Sequence, residues 1–266
     1  EPNTCSTRAA RSRTVSCVRP ILLALLAAAG IARAVHAQDA FEIQVYEPET
    51  APPGEIGLET HMNYVVNGST APSAAGEAPT NHTFHLTFEP HLGITDIFEV
   101  GFYVQTAVRP DAGYDWAGFK IRAKVRAPRP AFGWLKLALN GELSFIPTRY
   151  EAAGTGGELR PIAEGVFGPL LVGVNPIIGL TFDNGVHFDL EPCARALFSF
   201  APWISAGAEY YSALGPIDAI LPASEQVHRV FGVVELYSGH FDVNFGVGGG
   251  TGDESFLVKA ILTLRP

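Results

Sequence analysis

The sequence predicts an all-β fold, a transmembrane antiparallel up-and-down β-barrel of about 12 strands. Three observations predict it. The chain begins with a leader typical of exported proteins, apolar and polar residues alternate with period two in many segments, and the connectors tend to alternate between short and long. Together they indicate that strands, rather than helices, cross a membrane.

Residues 1–37 have the pattern of a cleaved signal peptide. Four arginines between positions 8 and 19 precede the apolar run 21–29, and Val35-His36-Ala37 offers small residues at a cleavage point. The run is far shorter than the roughly 20 apolar residues that a membrane-spanning helix needs. We therefore predict a signal peptide over 1–37, an N-terminal periplasmic segment over 38–53 and a barrel over 54–266.

The charge of the remaining chain excludes one class of partner. Without residues 1–37 it has 13 basic and 26 acidic residues, and a nucleic-acid-binding protein needs the opposite balance. Cys193 is then the one remaining cysteine, so no intramolecular disulfide is possible. The expected partners are outer-membrane lipid, an unidentified small solute and, during insertion, the barrel-assembly machinery, with no nucleic acid.

The strands follow from the alternation. Over 98–105 and 119–126, apolar residues alternate strictly with polar residues or glycine, which is typical of strands with one apolar face. The same criterion predicts strands at 54–66, 80–92, 97–108, 116–127, 131–146, 158–166, 169–182, 186–197, 203–212, 227–238, 240–249 and 255–265. An even number of strands is what single-chain bacterial barrels require.

The connectors support the same topology. Short connectors lie at 93–96, 128–130, 167–168, 198–202 and 239, and longer ones at 67–79, 109–115, 147–157, 213–226 and 250–254, with the short 183–185 as the exception. Short periplasmic turns and long external loops are the pattern of outer-membrane barrels. We therefore expect a location in the bacterial outer membrane, with both termini periplasmic.

The polar faces of the strands give the candidate site. The predicted lumen-lining residues are Glu59, Glu89, Glu99, Lys120, Arg122, Lys124, Glu142, Glu191, Arg195, Glu209 and Glu235. The candidates for aromatic belts at the two membrane interfaces are Tyr64, Tyr103, Tyr114, Trp116, Trp134, Trp203, Tyr210, Tyr211 and Tyr237. A soluble β-sandwich also alternates apolar and polar residues and remains the alternative, but isolated charges on glycine-rich faces favour the barrel.

Several segments resemble a known group of proteins. These are Phe41–Tyr46, Gly93–Asp96, Trp116–Arg122, Asn175-Pro176, Glu209–Tyr211 and Phe256–Leu262. In them the chain is similar to uncharacterised proteobacterial outer-membrane proteins, the putative transporters grouped with the meta-cleavage phenol-degradation pathway protein. The resemblance implies a barrel of transporter type with an unassigned substrate.

The sequence contains no pattern that assigns catalytic, cofactor-binding or metal-binding residues. His82, His85 and His91 are close in sequence, but His82 has the opposite parity, so no metal site is predicted from them. We predict that the protein is not an enzyme. The expected function is passage of a small solute, which can be hydrophobic or aromatic, through the barrel. The alternatives are a plugged structural or adhesion barrel without transport and a membrane-embedded lipid-modifying enzyme.

Three local hypotheses complete the prediction. Residues 38–53 form an extended segment that narrows the periplasmic mouth, or else a disordered leader. The apolar loop 213–226 folds over the pore or offers an apolar entrance, or else leans on the rim. Lys120, Arg122 and Lys124 share parity and form a cross-strand network with glutamates of neighbouring strands, because an unpaired charge is costly in a narrow lumen.

Overall fold

The computed structural model describes residues 39–72 and 76–264, and the predicted signal peptide lies outside the described residues. All regular elements of the described chain are strands. They are β1 (Ile56–Asn67), β2 (Phe84–Thr95), β3 (Phe98–Arg109), β4 (Gly113–Arg126), β5 (Leu135–Phe145), β6 (Thr155–Phe167), β7 (Leu170–Asn175), β8 (Ile178–Phe182), β9 (Val186–Leu190), β10 (Cys193–Ala201), β11 (Ile204–Ala213), β12 (Gly215–Pro216), β13 (Val227–Tyr237), β14 (Phe241–Gly250) and β15 (Phe256–Leu264). In the described residues, no helix is long and apolar enough to span a membrane.

The strands close into a 12-stranded antiparallel barrel, as predicted. When β7 and β8, and likewise β9 and β10, are taken as one strand each, every strand of the barrel pairs with its neighbours in the chain. The barrel closes where β1 pairs with β15, with Leu58 opposite Leu264. Closure leaves neither the first nor the last strand with an unpaired edge, which is the condition for a sheet to cross lipid.

Two of the twelve barrel strands are interrupted, which the sequence prediction missed. The predicted strand 169–182 consists of β7 and β8, separated by Pro176-Ile177, and 186–197 consists of β9 and β10, separated by Glu191-Pro192. Proline lacks the N–H that a ladder requires, so regular pairing stops at each proline. The two interruptions are adjacent in the wall, where one hydrogen bond joins Glu191 N–H to the Ile177 carbonyl (2.9 Å).

The hairpins define two different ends of the barrel. The hairpins β2–β3 and β14–β15 point to opposite ends, and the short connectors such as 96–97 and 168–169 share the end at which β1 begins and β15 ends. The β8–β9 turn is tight because Asn184 and Gly185 adopt positive φ angles of 49° and 145°. We call the two ends the short-turn end and the long-loop end.

The apolar loop 213–226 does not fold over the pore. It forms β12, whose Gly215 and Pro216 pair with Leu190 and Asp189 of β9, so it extends the wall. Ile217 and Ile220 remain about half exposed on it. The reason is local: Leu190, just before the proline interruption, offers backbone groups that the loop can pair with.

The outer surface of the barrel is apolar and the inner surface largely polar. Phe88, Phe102, Ile121, Leu143 and Phe245 are among the many large apolar side chains exposed on the outside. Three residues of the predicted aromatic belts were placed wrongly, Tyr103, Tyr211 and Tyr237, the last of which lines an interior cavity. Tyr103 and Tyr211 are completely buried inside the barrel, because each shares the parity of an inward glutamate, Glu99 and Glu209.

Candidate functional site

The interior of the barrel is occupied by residues 39–53, which precede β1. Phe41 contacts His85 of β2 and Tyr150 of the loop 146–154, with ring centroids 4.5 Å and 5.3 Å away. At the other end, the Thr50 hydroxyl donates to the carbonyl of Asp96 in the β2–β3 turn (3.1 Å). The segment therefore extends from the long-loop end to the short-turn end, much further than the mouth at which the sequence placed it.

Strands on all sides of the barrel bond to this interior segment. Its backbone accepts hydrogen bonds at the carbonyls of Ala40 from Asn63, of Phe41 from Thr87, of Ile43 from Lys259, of Gln44 from Arg160 and of Tyr46 from Asn175, over 2.9–3.2 Å. The donors belong to β1, β2, β15, β6 and β7. Wall side chains thus replace the ladder partners that an extended segment inside a barrel lacks.

Asn175 fixes the middle of the segment by two bonds to one residue. Its side-chain oxygen accepts from Tyr46 N–H (2.6 Å), and its amide nitrogen donates to the Tyr46 carbonyl (3.2 Å). The Tyr46 hydroxyl lies within hydrogen-bond distance of Glu42, Tyr103 and Glu142. The Arg160 guanidinium stacks 3.9 Å from the centre of the Tyr46 ring.

One side of the interior is apolar, which strict alternation does not predict. Ile43 and Val45 of the segment pack into a buried cluster of wall residues that includes Phe231, Val233 and Leu257. These strands present apolar residues on both faces, so the alternation there is lost. The segment is therefore anchored by burial of apolar area on one side and by polar bonds on the other.

Lys120, Arg122 and Lys124 of β4 form the expected network. Arg122 bonds Glu89 and lies 2.7 Å from Glu99, while the Lys124 ammonium is 3.5 Å from Glu99. Lys120 differs, because its closest partners belong to the interior segment: Asp39 at 2.6 Å and Glu42 at 3.2 Å, with Glu142 at 3.7 Å. Part of the lumen charge is thus neutralised by the segment itself.

The five remaining predicted lumen residues lie in three different environments. Arg195, Glu209 and Glu235 are buried inside, where Arg195 lies 3.1 Å from Glu47 of the segment and 3.5 Å from Glu235. Glu59 is partly exposed and receives a bond from Gln44 of the segment (3.1 Å). Glu191 stands apart from the network, at the interruption between β9 and β10, with its carboxylate beside Gly179 of β8.

The sequence analysis missed several residues that hold the segment, chiefly Arg160, Lys259 and Asn175. Arg160 and Lys259 are completely buried, and Lys259 also pairs with Glu209. Parity was available as a signal for Lys259, but its inward neighbours Leu257 and Ile261 are apolar, so that face was not recognised as interior. Nothing in the spacing of the chain indicates that Asn175 meets Tyr46.

At the long-loop end, Tyr150 covers Phe41. Its hydroxyl donates to Asp115 (2.9 Å), and Arg149 makes a two-pronged contact with the same carboxylate at 2.7 Å. Burial, together with the hydrogen bond to Asp115, raises the pKa of Tyr150 to about 12. The phenol therefore stays protonated at neutral pH, and it remains a donor.

A cavity of about 430 Å³ opens towards the short-turn end, beside the interior segment. Its charged lining is strongly acidic. The lining carboxylates are Glu47, Glu49, Glu55, Glu59, Glu89, Glu99, Glu209, Glu235 and Asp242, and the lining cations of arginine and lysine are Arg122, Lys124 and Arg195. The electrostatic potential in the cavity, beside the interior segment, therefore favours cations over anions.

Comparison with known proteins supports the fold. No family model matches the chain, and no curated protein is similar to it in sequence. The barrel is similar to the COG4313 outer membrane channel from Pseudomonas putida F1, with a TM-score of 0.56 and 11% identity over 85% of this chain and 100% of that one. Omp33 of Acinetobacter baumannii has a TM-score of 0.46 at 10% identity, over 80% and 98% of the two chains. At 11% identity, the similarity to the first of these structures shows the fold, an outer-membrane type of β-barrel.

The prediction that the protein is not an enzyme, which was drawn from the absence of a catalytic pattern, was wrong, because some of the similar barrels are outer-membrane enzymes. Outer-membrane enzymes share this type of fold, among them LpxR from Salmonella typhimurium, with a TM-score of 0.44 and 9% identity over 78% of this chain and 99% of that one. A barrel is a scaffold whose chemistry depends on the residues that it carries. The fold therefore does not exclude catalysis.

Proposed function

We propose that the protein is an outer-membrane channel for a small solute, closed by its interior segment and opened when that segment moves. The observation that carries the proposal is the burial of Glu42, Ile43 and Tyr46 in the middle of the barrel, each at most 4% exposed. A segment held by side-chain bonds and apolar packing, and not by strand pairing, can leave without breaking the wall, because the strands keep their own ladder. In this proposal the short-turn end and the C-terminus face the periplasm.

The cavity bears on the choice of solute. An excess of carboxylates in a confined space attracts cations and repels anions. The resemblance to transporters grouped with phenol degradation favours a hydrophobic or aromatic solute, and the Tyr46 and Tyr237 rings in the cavity lining offer aromatic contacts. We propose a neutral or cationic solute that carries an aromatic or apolar group.

Replacing residues 41–47 with a glycine–serine stretch of equal length tests the proposal. In planar bilayers the natural protein should be mostly closed, and the variant should show frequent discrete conductance steps with cation selectivity, because the lumen loses its filling and keeps its acidic wall. A glycine–serine replacement of the exposed turn 128–130 serves as the control and should behave like the natural protein. Equal conductance in both variants contradicts the proposal.

A plugged barrel without transport is the second candidate, and the complete burial of Glu42 favours it. Uptake of small aromatic solutes into vesicles separates the two. A channel gives uptake that increases when the segment is replaced, whereas a structural barrel gives none in the natural protein under any condition. Mass spectrometry of the lipids in the same vesicles reports any modification of lipid.

A further inference from the structure

Three side chains near the inner end of the cavity form a group that neither the charge network nor the proposed channel explains. They are Glu59 and His61 of β1 and Glu89 of β2. Glu59 and Glu89 are directly opposite each other in the ladder, and His61 follows Glu59 on the same inward face. One nitrogen or oxygen atom from each lies within 4.8 Å of those of the other two.

The candidate ligand atoms of the three groups lie close to one another. The Nε2 atom of His61 is 3.1 Å from Glu89 Oε2 and 3.9 Å from Glu59 Oε2. Arg122 bonds the other oxygen of Glu89, Oε1, so that Oε2 is held towards His61. His61 Nδ1 has no hydrogen-bond partner among the described residues, so the ring makes its polar contacts through Nε2.

We infer that Glu59, His61 and Glu89 bind one first-row divalent metal ion, with Zn²⁺ as the representative. Zinc accepts imidazole nitrogen and carboxylate oxygen at about 2.0–2.2 Å, so neighbouring ligand atoms lie about 3.0–3.5 Å apart. From His61 Nε2, the Glu89 oxygen already lies in this range, and the Glu59 oxygen needs a contraction of less than about 1 Å. The two carboxylates must also close from a separation of at most 4.8 Å. A histidine ligand favours zinc and its neighbours in the first row over Mg²⁺ or Ca²⁺, which prefer oxygen alone.

A fourth ligand is available from the interior segment. Gln44 donates from Nε2 to Glu59 Oε2 at 3.1 Å, and its own Oε1 is buried with no partner in the described part of the chain. Turning the amide by 180° exchanges the two atoms and places Oε1 beside the Glu59 oxygen, which is one of the three ligand atoms. The ion then bridges the interior segment and the wall.

The site is accessible from outside the protein. Gln44, Glu59 and Glu89 line the cavity that opens at the short-turn end, and the Glu59 side chain is 19% exposed. His61 lies behind them and is completely buried. An ion can therefore enter through the cavity without unfolding of the barrel.

The test is calorimetric titration of the full barrel in detergent, purified without a histidine tag and stripped with a chelator, with ZnCl₂. We expect one ion per chain. His61→Ala and Glu59→Gln should each weaken binding at least tenfold, and Gln44→Ala should weaken it by a smaller factor. Co²⁺ should give a visible absorption band in the natural protein that His61→Ala abolishes.

His91→Ala is the matched control, because His91 lines the same cavity but is not one of the three ligands. It should bind Zn²⁺ as the natural protein does. Heat-dependent mobility on gels shows which variants are folded, and if His61→Ala does not fold, Glu59→Gln decides, since its amide oxygen can still accept from Gln44. No saturable binding, or equal loss in the His91 and Glu59 variants, overturns the inference. Because no conductance is measured, the result is independent of the channel proposal.

Discussion

Asn175→Ala is the substitution that should most directly open the proposed channel. It removes both bonds to the Tyr46 backbone, at 2.6 Å and 3.2 Å, while the segment remains in place. A buried N–H or carbonyl left without a partner costs about 1–3 kcal/mol. In the open state water satisfies both groups, so the closed state alone is destabilised, by about 2–4 kcal/mol if the two terms add partially.

That free energy corresponds to a large change in opening. Since about 1.4 kcal/mol is a factor of ten, the equilibrium constant for release of the segment should rise about 30- to 1000-fold. Single-channel recording in planar bilayers measures this directly as the open fraction. Melting of the barrel should change much less, because the wall ladder is intact in both states.

Asn244→Ala is the matched control for this experiment. Asn244 also makes two side-chain hydrogen bonds, but both go to wall carboxylates, Glu209 (3.1 Å) and Glu235 (2.9 Å). It should leave the open fraction near that of the natural protein. If the two variants open equally often, the bonds between Asn175 and Tyr46 do not hold the channel closed, and the reasoning fails.

The other predictions address the network, the segment and the loop. Arg122→Glu places a carboxylate beside Glu89 and Glu99 and should destabilise the barrel by about 3–5 kcal/mol. Thermal melting measures the effect, with the exposed Arg129→Glu as the control. An unchanged melting temperature contradicts the pairing of charges in the lumen. The buried thiol of Cys193, 3.8 Å from Asn175, should react with maleimide faster in Asn175→Ala than in the natural protein, as mass spectrometry will show, and equal rates mean that the interior does not open. Ile220→Ser on the half-exposed loop should change stability by less than about 0.5 kcal/mol, and selective loss of uptake of aromatic solutes would reveal that the loop guides apolar cargo.

The sequence predicted the parts of this structure that depend on the period of apolar–polar alternation and on the sign of the side-chain charges. Strict alternation places Glu99, Lys120 and Arg122 on inward faces, and adjacency of strands then brings opposite charges together. The interruptions at Pro176 and Pro192 were visible as residues but were not used. Proline in a barrel strand should have been taken as a local end of the ladder.

What the sequence could not predict depends on contacts between distant parts of the chain. Residues 41–46 look like another alternating strand, and nothing local shows that they lie inside the barrel instead of in its wall. Their partners are scattered from Asn63 to Lys259. His61 was overlooked because its proximity to Glu89 depends on the register between β1 and β2, and the sequence alone does not give that register.

The threaded segment has a consequence for the order in which the molecule assembles. Its Ile43 carbonyl accepts from Lys259, 216 residues further along the chain, and Lys259 belongs to the strand that closes the seam with β1. That bond cannot form until the last strand has been synthesised and has paired with β1. The segment is therefore fully enclosed only after the whole sheet has formed. Closing so long a loop carries an entropic penalty that the early hairpins do not face. The seam between β1 and β15 is therefore the place where wrapping around the segment is completed, and residues 41–46, which precede every strand in the chain, are among the last to acquire all their native neighbours.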